Sequence, residues 1–191
     1  NHTQFVDRLG DTFRWKSENV STTEVEGIIS KYRGNVESVK YGVDSNIDEN
    51  IVYGVEIPNT SGRAGMVKLI LSDPTKSIDF ESFYEFLKKE LPPFAIPLFI
   101  RIGKNTETTS TMKYLKSHLK AEGYDCEKTD DTIYFLDPET KEYILVTPEV
   151  RDNINDGVYK ILSCNGGGII SFNPNLYERG WKRMIASLRY S

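Results

Sequence analysis

The sequence has little cysteine and no long apolar run. Among 191 residues the two cysteines, Cys126 and Cys164, lie far apart, which excludes a metal-binding cysteine spacing and a disulfide framework. No apolar stretch approaches the length of a membrane span. The formal net charge of −4 gives no reason to expect nucleic acid as a partner. We therefore expect an intracellular globular protein in a reducing compartment, with no metal site of its own.

What the sequence does contain is a mixture of short strand-like and helix-like segments. Alternating or densely apolar residues predict strands near 51–57, 66–71 and 98–102. Residues 133–136 and 143–146 flank a turn-rich segment and predict a hairpin. The fold class that we expect is α+β, with a small mostly antiparallel central sheet flanked by helices, an N-terminal β-hairpin and an added C-terminal hairpin and helix.

Local signals mark the boundaries of elements near the start of the chain. Residues 12–16 alternate as a strand, and residues 17–19 are typical of a turn. Ser21 and Glu24 have the capping-box spacing, which predicts that a helix begins there. One face of that helix would be buried, and it consists of Val25, Ile28, Ile29 and Tyr32.

Other segments are assigned by the same patterns. Residues 39–43 alternate as a strand, and residues 44–50 predict a polar, acidic loop. Residues 79–91 have the pattern of an amphipathic helix. The glycines at 166–168 predict a flexible joint, and a last helix is expected within 175–190.

One long motif is distinctive. Residues 7–26 read DRLGDTFRWKSENVSTTEVE. Residues 53–55 with 62–66 read YGV and GRAGM, and residues 96–102 with 111–113 read IPLFIRI and TMK. Together these segments resemble the fatty-acid transport proteins and very-long-chain acyl-CoA synthetases of the adenylate-forming superfamily, over roughly residues 5–160.

The resemblance implies a domain arrangement. Residues 1–162 would be the C-terminal small domain of an acyl-CoA synthetase, with the hinge region at residues 1–11, and residues 163–191 would be a tail that the family does not match. Because the chain begins abruptly on the motif, we expect an excised domain that is inactive without the N-terminal large domain of the same protein. The resemblance further implies ATP, CoA and Mg²⁺, held mostly by the large domain, and a fatty acid as the substrate.

The resemblance assigns the adenylation step to Lys113, at the end of the polar loop 103–111. A lysine suits the joining of two anions because its ammonium is a compact charge on a flexible stem. On spacing alone, the alternative is that Lys113 is a solvated surface lysine at the start of a helix. Lys116, one turn further on, is expected to tolerate alanine, and His118 is expected to be a helix-surface histidine.

The hinge region holds three further candidates. Arg8 resembles an arginine that contacts the ribose or phosphates of the nucleotide, although an ion pair with Asp7 or Asp11 is an alternative. Gly10 occupies the hinge position, where glycine absorbs large changes of φ and ψ, and Asp11 is the adjacent candidate. The alternative for Gly10 is an ordinary turn glycine.

The hairpin loop is the candidate CoA-binding element. The resemblance implies that Lys16, Ser17 and Glu18 line the CoA tunnel and that Arg14 and Lys16 attract the CoA phosphates. The alternative is an exposed strand whose polar side faces water. Ser17 stands where many relatives have glycine, so the turn is expected to be stiffer, because serine tolerates positive φ less well.

A second functional class remains open. The chain could be a non-catalytic interaction or membrane-docking module, because the tail combines basic and apolar residues that a helix in a membrane interface would use. These are Arg179, Lys182, Arg183 and Arg189 with Leu176, Trp181, Ile185 and Leu188. The other interpretation is that the apolar side packs on the domain. The resemblance implies that the full-length protein associates with the endoplasmic reticulum, peroxisomes or lipid droplets, with possible peripheral membrane contact.

Overall fold

The computed structural model describes residues 12–32, 46–103 and 112–161, and the side chains of residues 112–115 lie outside the description. The strands within these ranges are β1 (Thr12–Trp15), β2 (Glu18–Ser21), β3 (Ile47–Val55), β4 (Ala64–Leu71), β5 (Phe99–Gly103), β6 (Thr132–Leu136) and β7 (Tyr143–Leu145). The helices are α1 (Thr22–Ile29), α2 (Phe80–Glu90), α3 (Met112–Glu122) and α4 (Pro148–Asn155). All of these elements lie in one compact unit that ends at Tyr159.

The described strands form a five-stranded sheet and a separate hairpin. The sheet has the order β3-β4-β5-β6-β7, and the hairpin consists of β1 and β2. β4 and β5 run parallel, joined through α2, and the other neighbours in the sheet are antiparallel. The expected α+β class, with a mostly antiparallel sheet and an added C-terminal hairpin and helix, is confirmed.

The helices begin where their capping residues predict. The Ser21 hydroxyl accepts a hydrogen bond from the backbone N–H of Glu24 at 3.4 Å, so the capping signal is confirmed. Asp79 caps α2 and Thr147 caps α4 in the same way. These caps satisfy backbone N–H groups that have no partner within the helix.

Helices and aromatic side chains cover both faces of the sheet. Phe99 and Ile100 are neighbours on β5, so their side chains point to opposite faces. Tyr124, just after α3, stacks on Phe99 with the ring centroids 4.6 Å apart. On the other face Tyr134, paired with Ile100, meets Phe80 of α2 at 4.5 Å. The core is therefore built in layers around β4 and β5.

Two boundaries differ from the sequence prediction. Residues 47–50, predicted in a polar loop, form the first part of the edge strand β3, whose side chains there are exposed or half-buried. Their backbone pairs with β4 although they lack apolar alternation. α1 ends at Ile29, so Tyr32 lies beyond the helix, buried with its ring 4.9 Å from that of Phe83.

Several predictions fall outside the described residues. These are the strand at 39–43, most of the loop 103–111, the joint at 166–168 and the helix within 175–190. The domain boundary near residue 162 stays a prediction for the same reason.

The hairpin docks on the sheet above a pair of glycines. Gly54 of β3 and Gly65 of β4 face each other in register. A Cβ at Gly54 would come within 2.7 Å of the Phe13 Cβ, and a Cβ at Gly65 would come within 3.2 Å of the Phe13 Cζ. A Cβ at Gly54 would clash with Phe13, whereas a Cβ at Gly65 would require the Phe13 ring to shift by a few tenths of an ångström. This docking helps to bury Phe13 and Trp15.

We predict that Gly54→Ala destabilises the domain by about 1–3 kcal/mol, the usual cost of forcing an extra methyl group into a packed site. The clash is with the first atom of the Phe13 side chain, which rotation cannot move away. Urea denaturation of the 191-residue chain measures the change in the free energy of unfolding.

Gly27→Ala is the matched control. A Cβ at Gly27, on α1, would meet nothing within 4 Å. Because alanine is the better helix former, this variant should be more stable by about 0.5–1 kcal/mol. A loss of stability in both variants would contradict the docking account.

Candidate functional site: the signature hairpin and the lysine helix

The hairpin turn consists of Lys16 and Ser17. Trp15 pairs with Glu18, which leaves two residues in the turn, and their φ angles are 50° and 69°. Two successive positive φ values are what a type I′ turn requires, and this turn matches the twist of the flanking strands. The prediction placed the turn one residue too late, because Asn19 has a turn-like side chain but belongs to β2. Strain at Ser17 follows from its left-handed backbone.

Backbone contacts fix the direction of the hairpin. The Arg63 N–H donates to the Arg14 carbonyl at 2.7 Å, and Trp15 forms a β-bridge with Gly62. Gly62 has φ +91°, and a Cβ there would lie 2.3 Å from the Arg14 carbonyl oxygen. Glycine is thus required both by the backbone angle and by the close approach of β1.

The four candidate CoA-binding side chains all lie exposed around the turn. They are Arg14, Lys16, Ser17 and Glu18. The Lys16 ammonium lies 5.9 Å from the centre of the buried Trp15 ring, within the range of a cation–π contact. Along β1, Phe13 and Trp15 are buried, whereas Thr12 and Arg14 are exposed. The buried side chains anchor the hairpin, and its polar groups face solvent.

A cleft of about 710 Å³ runs beside the hairpin. Arg14 and Arg63 both line it. Arg63 is paired with Glu56 at 2.9 Å, whereas Arg14 has no ion pair among the described residues. Arg14 therefore supplies the uncompensated positive charge of this cleft within the described part of the chain.

Lys113 lies in the first turn of α3, where the sequence predicts the start of a helix. Its side chain is outside the description, and so are Arg8, Gly10 and Asp11. His118 is exposed on α3, with its Nδ1 3.4 Å from Glu122 Oε1, as a helix-surface histidine should be.

Lys116 lies in a half-buried ion pair that was not predicted. Its ammonium lies 3.1 Å from Glu26 Oε1 and 3.3 Å from the Thr22 hydroxyl, and only 14% of its side chain is exposed. Lys116 looks like a surface residue in the sequence, because its partners lie on α1, some 90 positions earlier. The expectation that Lys116 tolerates alanine stays a prediction, but the ion pair makes Lys116 unsuitable as a neutral control.

Arg101 forms the centre of a buried ionic cluster that sequence reasoning missed. The guanidinium donates to Asp131 and Glu122, each at 2.6 Å, and to the Thr129 hydroxyl at 2.7 Å. Lys68 lies 3.2 Å from the same Asp131 carboxylate. Two cations thus face two anions, which is how a protein interior accommodates charge.

The electrostatics of this cluster follow from burial. Burial alone would lower the pKa of Arg101, but its hydrogen bonds to Asp131 and Glu122 hold that pKa above its ordinary value. Burial also raises the pKa of the nearby Tyr53 hydroxyl, against the opposing effect of the Arg101 charge. Gly103, the last residue of β5, has no room for a Cβ because Lys68 Cε would lie 2.3 Å from it. Arg101 therefore stays charged within a tightly packed cluster.

Comparison with known proteins extends this description. The chain is 43% identical to the mouse long-chain fatty acid transport protein 6 over 154 residues, which is 81% of this chain. It is 38% identical to the human long-chain fatty acid transport protein 1 over 157 residues, or 82% of this chain. The chain is homologous to the C-terminal part of the long-chain fatty acid transport proteins. The resemblance of the motif segments to the fatty-acid transport proteins is thereby confirmed.

The match has a limited extent on the family's side. The aligned region spans 23% of the mouse fatty acid transport protein and 22% of the human one, so this chain corresponds to less than a quarter of these relatives. No protein-family model matches the chain.

A solved structure shares the fold. The crystal structure of a mutant form of coronafacic acid ligase from Pectobacterium brasiliense matches with a TM-score of 0.50 and 14% identity. The match covers 69% of this chain and 22% of the ligase. At this level of identity the likeness concerns the fold alone.

We predict that Ser17→Gly makes the hairpin more stable. Left-handed backbone costs an L-residue about 1–2 kcal/mol, and the greater freedom of glycine in the unfolded chain offsets part of the gain. The free energy of unfolding should rise by about 0.5–1 kcal/mol in urea denaturation. The same change in helix α2, Ser82→Gly, should lower it, and a loss in both variants would argue against strain at the turn.

The buried cluster generates a second prediction. Arg101→Met leaves the Asp131 and Glu122 carboxylates without their main partner, so we expect a loss of about 3–5 kcal/mol in the free energy of unfolding. Lys88→Met, which removes an exposed pair with Glu85, should cost less than about 1 kcal/mol. Comparable losses would contradict the assignment of Arg101 to the core.

Proposed function

We propose that this chain is the mobile C-terminal domain of an ATP-dependent long- or very-long-chain fatty acyl-CoA synthetase. It would supply the adenylation lysine, Lys113, and the hairpin that lines the CoA tunnel. The observation that carries the proposal is the hairpin itself: a two-residue turn held in a strained conformation by buried Phe13 and Trp15, in a chain homologous to fatty acid transport proteins.

The first half-reaction forms an acyl-adenylate. A carboxylate oxygen of the fatty acid attacks the α-phosphorus of ATP, the bond from the α-phosphorus to the bridging oxygen breaks, and pyrophosphate leaves. Both reactants are anions, so a cation between them lowers the barrier. Lys113 fits this role because the backbone of α3 begins one residue before it, directly after the segment 104–111.

The second half-reaction forms the thioester. The CoA sulfur attacks the acyl carbon, the bond from that carbon to the AMP oxygen breaks, and the thiol proton passes to solvent. The turn backbone of Lys16 and Ser17 would hydrogen-bond the pantetheine amides, and Arg14 with Lys16 would attract the CoA phosphates. The exposure of all these side chains and the uncompensated charge of Arg14 support this assignment.

A change of domain orientation would separate the two steps. Gly10, with Asp11 beside it, would be the hinge, and Arg8 would contact the nucleotide. These three assignments rest on the resemblance of the motif at residues 7–26. Most contacts to ATP and the fatty acid would come from the N-terminal large domain of the same protein, so the isolated chain should be inactive.

Magnesium would neutralise the phosphates of ATP when bound. Within the residues that the structure describes, no group of three or more His, Cys, Asp or Glu side chains could hold a metal ion. The resemblance assigns Mg²⁺ mostly to the large domain, together with the nucleotide.

The non-catalytic alternative, membrane docking, depends on residues 163–191, which lie outside the described residues. In the part of the chain that is described, no helix has the length and apolar character needed to cross a membrane. Peripheral membrane contact and association with the endoplasmic reticulum, peroxisomes or lipid droplets belong to the proposal for the full-length protein.

Lys113→Ala in the full-length protein tests the proposal. Adenylate formation, followed by ATP–pyrophosphate exchange, should fall about 10²–10³-fold, the scale expected when one preorganised electrostatic contact is lost. Thioester formation from preformed acyl-adenylate and CoA should stay nearly unchanged, because the ammonium acts only while the adenylate forms.

Lys89→Ala is the control, since Lys89 is an exposed lysine on α2. Both half-reactions should keep their rates in this variant. Unchanged adenylation by Lys113→Ala would remove the lysine from the chemistry and would favour the non-catalytic alternative.

A further inference from the structure

Lys116 joins three elements of the domain through one carboxylate oxygen. Glu26 Oε1 accepts from the Lys116 ammonium at 3.1 Å and from the backbone N–H of Val52 at 2.8 Å. The ammonium also reaches the Thr22 hydroxyl at 3.3 Å. Helix α3 is therefore tied to α1, which follows the hairpin directly, and to the edge strand β3.

The contact between Lys116 and Glu26 fixes the relative orientation of the elements more than it adds to the free energy of unfolding. Fourteen per cent of the Lys116 side chain and 21% of the Glu26 side chain are exposed, so both charges lose much of their hydration. A pair of this kind recovers little net free energy, and an apolar pair of similar volume would often do as well. What the pair adds is a fixed geometry, because the Glu26 oxygen is itself held by the β3 backbone.

Lys113 lies three residues before Lys116 on the same helix. The distance between them along the helix axis is about 4.5 Å, so a tilt of α3 at Lys116 is passed to the start of the helix. A displacement of a reacting group by about 1 Å can cost about 10²-fold in rate. The geometry at Lys116 thus bears on the position of the candidate catalytic lysine.

We propose that Lys116 and Glu26 are positioning residues for adenylate formation: their contact orients α3 so that Lys113 meets the reacting groups. The inference rests on the function proposed above, in which Lys113 acts in adenylation. Lys116 acts through the helix and has no contact with substrate in this role.

Lys116→Met in the full-length protein tests it. Methionine keeps most of the apolar stem and removes the ammonium. ATP–pyrophosphate exchange should fall about 10–10²-fold, while thioester formation from preformed acyl-adenylate and CoA should change less than about twofold. Lys116→Arg, which can still reach the Glu26 carboxylate, should restore most of the adenylation rate.

Glu26→Gln is the milder partner variant. The amide oxygen can still accept from the Val52 N–H, so β3 keeps its contact while the ion pair is lost. It should reproduce the selective loss of adenylation and should add little to the loss in Lys116→Met when the two are combined, because both changes remove the same contact. This variant also serves if Lys116→Met fails to fold.

Arg151→Met is the matched control. Arg151 has 16% of its side chain exposed and pairs with Asp125 at 2.8 Å, so it too loses a half-buried ion pair, but on α4. The melting temperature of this variant should fall, because an ion pair is lost. Both half-reactions should keep their rates at a temperature where the variant is folded.

The outcomes separate the two proposals. Suppose that Lys113→Ala slows adenylation selectively, while Lys116→Met slows both half-reactions equally or slows neither of them. The positioning role is then wrong, and the proposed function stands. If Lys113→Ala has no selective effect, the proposed function fails and the positioning role fails with it. A selective loss in Lys116→Met without rescue by arginine, and without any effect of Glu26→Gln, would overturn the contact as the cause.

Discussion

The need to hydrogen-bond a buried guanidinium constrains how the elements of this domain are placed. Arg101 is 3% exposed on the middle strand of the sheet, and none of its N–H groups can turn to bulk solvent. Its partners come from two places: Glu122 lies at the end of α3, and Thr129 and Asp131 lie in the segment before β6. An arrangement that left any of them displaced would bury an unpaired charge. The relative positions of β5, α3 and β6 are therefore coupled.

Helix α3 is held at two points by charge. The Arg101–Glu122 pair fixes its C-terminal end against β5, and the Lys116–Glu26 pair fixes its middle against α1. Two separated contacts determine an orientation, whereas one would leave a helix free to pivot. The backbone of Lys113 thus belongs to a constrained helix, even though the segment before it is long and polar. Rigid elements hold functional groups more accurately than loops do.

The sequence predicts the fold well where local physics decides it. Ser21 caps α1 because its hydroxyl sits beside unpaired N–H groups, and the short apolar runs at β4 and β5 favour buried strands. It fails where the cause is distant. Residues 47–50 have no apolar pattern, because an edge strand there pairs through its backbone. Lys116 and Arg101 look like ordinary charged residues, because their partners are set by tertiary packing.

The candidate site divides along the same line. The hairpin was predictable because β1 alternates. Its turn was predicted one residue too late, because neither Lys16 nor Ser17 is a glycine that would indicate positive φ. The reason for the glycines in the motif segments at 53–55 and 62–66 could be found only from the structure. Gly54 and Gly65 make room for Phe13, and Gly62 makes room for the Arg14 carbonyl. These three glycines of the motif segments thus act sterically, by letting the hairpin lie close to the sheet. The motif segments therefore explain how the hairpin is held, while the side chains around its turn remain exposed.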